Sequence, residues 1–276
     1  MYKMILSDLD ETLLVNHHVP QENQKAIMKA RQKGVKFVPA TGRAYNMIQE
    51  ILKEIGTYQQ KDEYSICFNG GLIVENKNDH ILHFQGLSFE QTKELFELGE
   101  KYDVCVLIFT LDCCYIFKAD PDEVQRKRDQ KARFKVIDEY NMDFLQDEKI
   151  AKILFERRDM DYLQSIKKEI EPYIDGKVCA SFSSYRYLEL NALGVDKGYG
   201  LRWLASYLGM KSEDVIAIGD NYNDVDMIKE AGLGVCVAGA SDEIKSLSDY
   251  TTTLDYDEGA VREVIEKFVE EVSGNV

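Results

Sequence analysis

The stretch Met4-Ile5-Leu6-Ser7-Asp8-Leu9-Asp10-Glu11-Thr12 sets a short apolar run directly before two aspartates. The apolar residues predict a buried strand, with Asp8 at its carboxyl end. Residues i and i+2 of an extended segment project to the same side, so the carboxylates of Asp8 and Asp10 can flank one reacting atom. On its own, the pair is equally typical of a solvated acidic turn in which Asp10 caps a helix.

Strands and helices alternate through both ends of the chain. After the first strand, a helix over residues 20–34 precedes a strand over 35–38. Towards the end of the chain, helices over 197–208 and 224–231 flank a strand over 215–219. This alternation predicts an α/β fold, a Rossmann-like core whose parallel sheet carries helices on both faces. Two further helices are predicted over residues 45–55 and 259–272.

The middle of the chain has a different pattern, in which strand-like runs come in pairs. Ser88 and Gln91 form the signature of a capping box at the start of a helix. The last pair of strand-like runs covers residues 178–182 and 187–190, whereas residues 120–148 are polar and charged and show no clear element. This pattern predicts an inserted α+β domain with an antiparallel sheet. The predicted domains are a core of residues 1–84 and 190–276 and an inserted cap of residues 85–189.

The composition argues against several classes of function. With 34 basic and 49 acidic residues, the chain has a formal net charge of −15, which disfavours a nucleic-acid binder. No apolar run approaches the roughly 18 residues of a membrane span, and the six cysteines form no CxxC pair. We therefore expect a cytoplasmic protein that binds neither nucleic acid nor membrane, with its cysteines as small buried residues. The sequence does not indicate an oligomeric state.

Three further polar signals fall where predicted core strands end or where neighbouring helices start. They are Thr41-Gly42-Arg43, Lys197 and Gly219-Asp220-Asn221-Tyr222-Asn223-Asp224. In open α/β sheets, ligands bind at the edge formed by the carboxyl ends of the strands, so we expect these residues and the two aspartates at one site. For single residues the alternatives are a solvated Lys197, a helix N-cap at Asp220 and a surface carboxylate at Asp224.

The acidic residues suit the binding of a hard metal ion. Magnesium prefers oxygen ligands, which Asp8, the backbone carbonyl of Asp10 and Asp220 can supply. Asp224 can hold the waters of the metal or orient neighbouring groups. Because two nearby carboxylates repel each other, one of the pair after the first strand can carry a proton while the other acts as a nucleophile.

Thr41, Gly42 and Lys197 can bind the anion that these carboxylates would repel. The Thr41 hydroxyl and the Gly42 amide can donate to phosphoryl oxygens at a helix N-terminus, where the helix dipole favours anions. Lys197 can neutralise the nucleophile and the transferring group. A cation in an early helical turn is disfavoured by the dipole, so we expect a ligand anion to compensate Lys197.

The order and spacing of these motifs resemble the haloacid dehalogenase superfamily of phosphotransferases, and within it the Cof-type sugar-phosphate phosphatases. The resemblance covers nearly the whole predicted core, and the inserted domain stands where these enzymes carry a large cap. Aspartate at position 10, rather than threonine, resembles the phosphatases and mutases and not the ATPase branch. The matching motifs are residues 8–14, 40–43, 69–71, 194–198 and 219–224.

The resemblance implies a role for each matching residue. Asp8 would be the nucleophile and Asp10 the general acid and base, with Thr41 and Lys197 completing the catalytic set. The implied ligands of Mg²⁺ are Asp8, Asp10 through its carbonyl, and Asp220, with Asp224 supporting the metal shell. The implied phosphate contacts are the Leu9 amide, Thr41, Gly42, Lys197 and Asn223.

Two positions depart from the family pattern. Pro39 stands where an aliphatic residue is more usual, and since proline lacks the ladder donor, we expect the strand to end early or to be irregular there. Ala238-Gly239-Ala240 stands where many relatives carry Gly-Asn-Ala, which puts any polar contact from that asparagine in doubt.

The inserted cap is expected to shield a phosphoaspartate from water and to choose the leaving group. Arg186 is the candidate for substrate contact, in a run that also offers Phe182, Tyr185 and Tyr187. Aromatic residues in paired strands belong more often to the core. The run Arg126-Lys127-Arg128 is interpreted as a solvated basic face.

The sequence therefore predicts a Mg²⁺-dependent phosphatase that acts through an aspartyl-phosphate intermediate on Asp8. Its expected substrate is a small phosphorylated metabolite, either a sugar phosphate or a phosphorylated cofactor such as flavin mononucleotide or pyridoxal phosphate. A phosphomutase shares the nucleophile and stays an alternative. A regulatory phosphoacceptor without turnover is a second alternative, and it predicts a much shorter chain without an inserted domain.

Overall fold

The computed structural model describes residues 1–270, which divide into two compact units. Met1–Arg43, Ile48–His83 and the chain from Asp196 onward form the first unit, and Ala44–Met47 and Phe84–Val195 form the second. The second unit extends past residue 189 because its last strand, Tyr187–Ala192, pairs along its length inside that unit. The roles of core and cap stay predictions.

The chain begins with five strands and two helices. They are β1 (Met4–Ser7), α1 (Gln21–Gln32), β2 (Lys36–Pro39), α2 (Gln49–Glu54), β3 (Tyr64–Cys67), β4 (Leu72–Glu75) and β5 (His80–Phe84).

The second unit contributes three helices and six strands. They are α3 (Phe89–Glu100), β6 (Cys105–Thr110), β7 (Cys114–Phe117), α4 (Pro121–Asp129), β8 (Phe134–Ile137), β9 (Ile150–Glu156), α5 (Met160–Ile174), β10 (Val178–Ser183) and β11 (Tyr187–Ala192).

The chain then returns to the first unit with four helices and three strands. They are α6 (Lys197–Tyr207), β12 (Val215–Gly219), α7 (Val225–Glu230), β13 (Leu233–Cys236), α8 (Asp242–Lys245), β14 (Tyr250–Thr251) and α9 (Ala260–Ile265).

The first unit is built on a five-stranded sheet in the order β14-β13-β12-β1-β2. Neighbouring strands of this sheet all run parallel, which confirms the predicted α/β fold. The interior strand β1, which lies between β12 and β2, is fully buried and pairs Ser7 with Ile218 on one side and with Pro39 on the other. Because parallel strands end at the same edge, the residues that follow β1, β2 and β12 lie together. β3, β4 and β5 form a separate three-stranded sheet.

Pro39 is the last residue of β2, which agrees with the expectation that this strand ends or becomes irregular at the proline. The Ala40 amide donates to the Ser7 carbonyl of β1, and the N–H groups of successive residues in a strand point in opposite directions. The proline nitrogen therefore faces away from β1, towards the side where Ala40 forms an isolated bridge with Ile66 of β3. The missing donor falls outside the central pairing of the sheet.

Two predicted helices are shorter than expected. The stretch 45–55 splits into a 3₁₀ turn, Tyr45–Met47, and the six-residue α2. The closing helix starts at Ala260 and changes to a π-helical turn over Glu266–Glu270, and residues 271 and 272 of that prediction lie outside the described residues. No helix within residues 1–270 has both the length and the apolar character needed to cross a membrane.

The second unit packs α3 and α5 against a six-stranded sheet in the order β10-β11-β9-β6-β7-β8. Neighbouring strands are antiparallel except for β7 and β8, which run parallel, so the expectation of an antiparallel sheet was wrong at that edge. The expected capping box opens α3. Ser88 Oγ accepts from the Gln91 amide, and the Gln91 side chain accepts from the Ser88 amide.

α4 and β8 occupy the polar segment in which the sequence showed no element. Asp120 Oδ1 accepts from two amides of the first turn of α4, and Pro121 takes the first helical position. Lys127 of this helix is 4% exposed, and its Nζ lies 2.7 Å from Oε1 of the fully buried Glu123. The interpretation of Arg126-Lys127-Arg128 as a solvated face was therefore wrong at its middle residue.

Candidate active site

The candidate active site lies in the first unit, where β1 and β12 end side by side. The Asp8 amide donates to the Ile218 carbonyl over 2.9 Å and extends the pairing of these strands one residue beyond β1. The Thr12 hydroxyl donates to Asp220 Oδ1 over 2.7 Å. This hydrogen bond connects the turn after β1 to the turn after β12 and keeps the segments that carry Asp8 and Asp220 close together.

Three carboxylates converge at this edge, from Asp8, Asp220 and Asp224. One oxygen of each lies within 4.8 Å of the others. Lys197, whose side chain is fully buried, donates from Nζ to Asp8 Oδ1 over 2.5 Å and to Asp224 Oδ1 over 2.6 Å. One ammonium faces three acidic groups, so the cluster carries an excess of negative charge whenever all three are ionised.

Burial and mutual repulsion shift the ionisation of this cluster. Burial raises the pKa of Asp8 to about 7, with the Lys197 charge acting in the opposite direction. Burial, followed by the charges of Asp224 and Asp8, raises the pKa of Asp220 to about 10. Burial on its own would lower the pKa of Lys197, but the two carboxylates bonded to it outweigh burial and raise that pKa. A bound cation would relieve the repulsion that these shifts reflect.

Asp224 organises the turn after β12. Its Oδ1 accepts from Lys197, and its Oδ2 accepts from the amides of Asp220 and Asn221 over 3.0 and 3.1 Å. A Cβ at Gly219 would lie 2.4 Å from the Cβ of Asp224, so the close approach of this turn requires glycine. These contacts favour the orienting role of Asp224 over direct ligation of a metal.

The carboxylate of Asp10 rests against a guanidinium. Arg43 Nε donates to Asp10 Oδ2 over 2.9 Å, and the terminal nitrogen Nη2 of Arg43 donates to Oδ1. The Arg43 side chain is 9% exposed, whereas that of Asp10 is 51% exposed. The carboxylate of Asp10 is thus accessible and held in place by Arg43, two residues from the buried carboxylate of Asp8.

Thr41 and Gly42 follow β2 at the same edge. Thr41 is buried, and its hydroxyl oxygen accepts from the Arg43 amide over 3.1 Å. A hydroxyl that accepts in this way still has its hydrogen to donate to a phosphoryl oxygen. The expected helix N-terminus behind these residues was wrong, because the 3₁₀ turn Tyr45–Met47 stands there instead. An anion at this point would therefore depend on single donors and not on a helix dipole.

Asn69 connects this segment to the turn after β12. Its backbone lies in the left-handed region, with φ 54°, which asparagine tolerates better than most residues. Its Oδ1 accepts from Asn223 Nδ2 over 3.4 Å and would lie 3.1 Å from a Cβ at Gly42. Gly42 therefore leaves room for Asn69, which in turn holds Asn223 close to the Thr41 segment.

Lys197 is the first residue of α6, where a helix dipole opposes a positive charge. Asp8 and Asp224 compensate this charge in the structure, and the expected ligand anion stays a prediction. The N-cap of the helix is Asp196, whose Oδ1 accepts from the Tyr199 amide over 2.6 Å. The helix start is thus stabilised by its cap, and the lysine is stabilised by the carboxylates of Asp8 and Asp224.

Most of the predicted site residues lie at this one edge of the first unit. Arg186 belongs to the second unit, where its guanidinium lies 3.9 Å from a Glu123 carboxylate oxygen and its side chain is 20% exposed. Its contact with substrate stays a prediction. Leu9 is fully buried, and its carbonyl accepts from the amides of Leu13 and Leu14, which shapes the turn after β1. The part assigned to the Leu9 amide also stays a prediction.

Sequence reasoning did not find the parts played by Thr12, Arg43 and Asn69. All three lie inside the quoted motifs, so their proximity to the site was predictable. The partners were not: Thr12 bonds to Asp220, and Asn69 to Asn223, across long stretches of sequence. A signal existed for Arg43, because a cation two residues after Thr41 must reach the same edge as the aspartates.

The donor set fits a hard divalent cation. Oxygens of Asp8 and Asp220 converge under an excess of negative charge, and carboxylate oxygens are the ligands that such cations prefer. Within residues 1–270, the cluster with Asp224 is the one group of at least three acidic, histidine or cysteine side chains that converges this closely. A metal ion at this place would share Asp8 with Lys197.

A family model connects this geometry to known enzymes. The model for the haloacid dehalogenase-like hydrolases matches residues 5–265. The chain belongs to this family. The match spans both units, so the predicted resemblance to haloacid dehalogenase enzymes is confirmed over almost the whole chain.

Relatives of this haloacid dehalogenase-like hydrolase match along nearly their full length. YxeH of Bacillus subtilis, which has a provisional phosphatase name, is 29% identical over 96% of this chain and 98% of its own. YcsE of the same organism, named 5-amino-6-(5-phospho-D-ribitylamino)uracil phosphatase, is 27% identical over 95% of this chain and 94% of its own. A solved haloacid dehalogenase-like hydrolase from Bacteroides thetaiotaomicron is 29% identical and covers 97% of this chain and 99% of its own, with a TM-score of 0.83. The predicted class of enzyme, a phosphatase of this family, is confirmed.

Proposed function

We propose that this hydrolase removes the phosphoryl group from small phosphate monoesters in a Mg²⁺-dependent reaction, with Asp8 as the nucleophile. The observation that supports this most strongly is the setting of Asp8. It follows the buried interior strand β1, bonds to the buried Lys197, and lies within 4.8 Å of acidic oxygens of Asp220 and Asp224. The accessible carboxylate of Asp10 stands two residues away.

In the first half of the reaction, an Asp8 oxygen attacks phosphorus, and the bond between phosphorus and the alcohol oxygen breaks. The leaving oxygen takes a proton from Asp10, which yields the free alcohol and a phosphoaspartate. Lys197 has three N–H donors and gives two of them to Asp8 and Asp224, so the third can follow the phosphoryl oxygens. The Thr41 hydroxyl is the second donor from the chain.

In the second half, a water molecule attacks the phosphorus of the phosphoaspartate. Asp10 takes a proton from this water, and the bond between phosphorus and the Asp8 oxygen breaks. Inorganic phosphate leaves, Asp8 is regenerated as a carboxylate, and Asp10 again holds the proton for the next cycle. The same residue thus serves as acid and as base, and the protons balance over one turnover.

Arg43 is proposed as the residue that positions Asp10. Its two hydrogen bonds hold both oxygens of the Asp10 carboxylate in place while this carboxylate accepts a proton from water. When Asp10 carries a proton for the leaving alcohol, it gives up part of this contact. The pairing therefore helps the second half of the reaction more than the first.

Mg²⁺ is proposed as the divalent ion, held by Asp8, Asp220 and the Asp10 carbonyl. When bound, it would supply positive charge that allows a phosphate dianion to approach carboxylates. The chain provides the rest: Lys197 keeps Asp8 in place, Thr12 fixes Asp220, and Asp224 orders the turn between them.

The name of the relative YcsE supports a small phosphorylated metabolite as the substrate, since it denotes a phosphorylated ribityl compound. A sugar phosphate and a phosphorylated cofactor both fit this description. We propose that the second unit, Arg186 included, selects the leaving alcohol. A panel of such esters with Mg²⁺, followed by release of inorganic phosphate, tests the proposal directly. Absence of turnover on every ester, together with a stable phosphoaspartate, would support a regulatory phosphoacceptor instead.

A phosphomutase would use the same Asp8 and differ only in the second half of the reaction, where it returns the phosphoryl group to substrate. Product analysis with a hexose phosphate separates the two. Free phosphate and free hexose support the phosphatase, whereas an isomerised ester without free phosphate supports the mutase.

Removal of divalent metal is expected to abolish phosphate release, and added Mg²⁺ is expected to restore it. Asp220→Asn should weaken Mg²⁺ binding at least about tenfold, because it removes one charged ligand. Isothermal titration of the metal-free full chain measures this without any assay of activity. Asp257→Asn, an exposed aspartate of the same unit, is the matched control. Equal affinity in Asp220→Asn and the control would contradict the assigned ligand.

Arg43→Gln is expected to lower kcat by about 10- to 100-fold, mainly by slowing hydrolysis of the phosphoaspartate. A rapid-quench experiment should then show a burst of alcohol followed by slow release of phosphate. Arg202→Gln, which alters an arginine that is half exposed and pairs with Glu230, serves as the control. Equal slowing of alcohol and phosphate, without a burst, would place Arg43 in the first half of the reaction.

A further inference from the structure

The second unit contains a cavity of about 370 Å³ at one end of its six-stranded sheet. It lies where β6 starts and where β7 and β9 end, and all of its lining belongs to this unit. Acidic, basic and apolar side chains share the wall. The residues that line the cavity are Asp103, Val104, Cys105, Lys118, Ala119, Asp120, Pro121, Glu156, Arg157 and Arg158.

Most charged groups around this cavity have partners. Arg157 pairs with Asp103 over 2.7 Å, and Arg158 pairs with Asp122 over 2.9 Å. Lys118 Nζ donates to carbonyls at the end of α3, including that of Gly99. Asp120 caps α4. Each of these charged groups is therefore stabilised by a partner within the second unit.

Glu156 is the exception. The residue is 3% exposed, and it ends β9 opposite Cys105 of β6. Among residues 1–270, no hydrogen bond or ion pair reaches its carboxylate. An ionised carboxylate is stabilised by donors and a neutral carboxyl group by an acceptor, and the described residues provide neither to Glu156. A buried acid without a partner, facing a cavity, indicates that a ligand provides one.

The surroundings of Glu156 restrict the ligand to one that carries positive charge at its inner end. Glu123 and Asp120 of α4 are acidic neighbours, and Tyr187 of β11 pairs with Glu156 across the sheet. Arg186 and Arg158 are the basic groups that face it. Burial raises the pKa of the Cys105 thiol to about 12, so this side chain stays neutral. An ammonium group of the ligand could pair with the Glu156 carboxylate. Among the described residues, no buried cation is in direct contact with that carboxylate.

The mouth of the cavity offers the opposite charge. The side chains of Arg157 and Arg158 are 45% and 54% exposed. Ion pairs at this exposure contribute little, so either guanidinium can turn to a carboxylate of a ligand at small cost. Val104, Ala119 and Pro121 provide apolar parts of the lining.

We infer that this cavity binds a small α-amino acid with an apolar side chain, its ammonium at Glu156 and its carboxylate at Arg157 and Arg158. The cavity volume is ample for a molecule of this size. The site is separate from the chemistry at Asp8 and does not depend on the proposed phosphatase reaction, because every group that it uses belongs to the second unit.

Binding should strengthen as pH rises. Burial, with Glu123 and Asp120, raises the pKa of Glu156 to about 7, against the opposing effects of Arg186 and Arg158. The carboxylate that receives the ammonium is therefore mostly protonated at pH 6 and mostly ionised at pH 8, while the amino group of the ligand stays protonated at both. Affinity should fall about tenfold from pH 8 to pH 6.

The test is a titration of the full chain with L-valine at pH 8, observed by amide chemical shifts and by calorimetry. Shifts confined to the strand ends around Cys105, Lys118 and Glu156 are expected. N-acetyl-L-valine lacks the ammonium and L-valinol lacks the carboxylate, so both should bind at least about tenfold more weakly. No binding of L-valine at tens of millimolar, or shifts elsewhere only, would overturn the inference.

Two variants assign the charged ends. Glu156→Gln should weaken L-valine at least about tenfold, and Glu139→Gln, an exposed glutamate of the same unit, should leave it unchanged. Arg157→Gln with Arg158→Gln should weaken L-valine but leave L-valinol unchanged. Unaltered binding in Glu156→Gln would overturn the inference. If that variant fails to fold, the comparison of L-valine with its two analogues on the unaltered chain decides the question.

Discussion

Asp8→Asn is expected to lower kcat for phosphate release by about 10⁴-fold or more, and to abolish the covalent phosphoenzyme. The amide has nearly the shape of the carboxylate but lacks its nucleophilic charge, so the loss falls on the bond-forming step. Substrate binding should change much less, because Lys197 and Thr41 are left in place. Steady-state kinetics on any accepted ester, with acid-quenched samples to detect the phosphoenzyme, measures both effects.

The loss must not arise from unfolding, and the structure gives a reason why it should not. Burial already disfavours the charged form of Asp8, as its raised pKa shows, so a neutral side chain at this position is tolerated. The thermal midpoint of Asp8→Asn should stay within a few degrees of that of the unaltered chain. Asp257→Asn is again the control, and it should retain full activity. Near-normal turnover by Asp8→Asn would refute the mechanism.

Short apolar runs were sufficient to locate several strands of the parallel sheet, although the two-residue β14 was not predicted. β1 and β12 begin and end at the predicted residues. Each is a run of buried residues followed by an acidic or basic segment, and such a boundary is visible in one dimension. The position of the site followed from the same signal, because polar residues placed after parallel strands must share an edge.

Pairings across the sheet edge were not predictable in the same way. The sequence led us to expect that Lys197 neutralises the nucleophile, but nothing local showed that it also pairs with Asp224. The same limit applies to Lys127, which the sequence presents between two arginines and the structure buries against Glu123. A pattern of charges in the sequence shows which charged residues are close along the chain. Whether one of them is buried depends on the residues that pack over it in the folded protein.

Lys197→Met is expected to lower the free energy of unfolding by about 3–5 kcal/mol in the absence of metal. The lysine side chain is fully buried and bonded to two carboxylates, so its removal leaves buried acidic groups without a counter-charge. The change should appear as a fall of roughly 10 °C in the thermal midpoint for a chain of this size. Lys229→Met, at an exposed lysine of α7, should have little effect.

Adding Mg²⁺ distinguishes the contribution of Lys197 to stability from its contribution to catalysis. If Asp8 and Asp220 hold the metal, Lys197→Met should bind Mg²⁺ more tightly than the unaltered chain, because the cation replaces a lost positive charge. The rise in thermal midpoint on adding Mg²⁺ should therefore be larger in Lys197→Met than in the unaltered chain. Activity should nevertheless stay at least about 100-fold low, since the metal cannot supply the donor that follows the phosphoryl oxygens. A rise no larger than that of the unaltered chain would mean that Lys197 and the metal do not share Asp8.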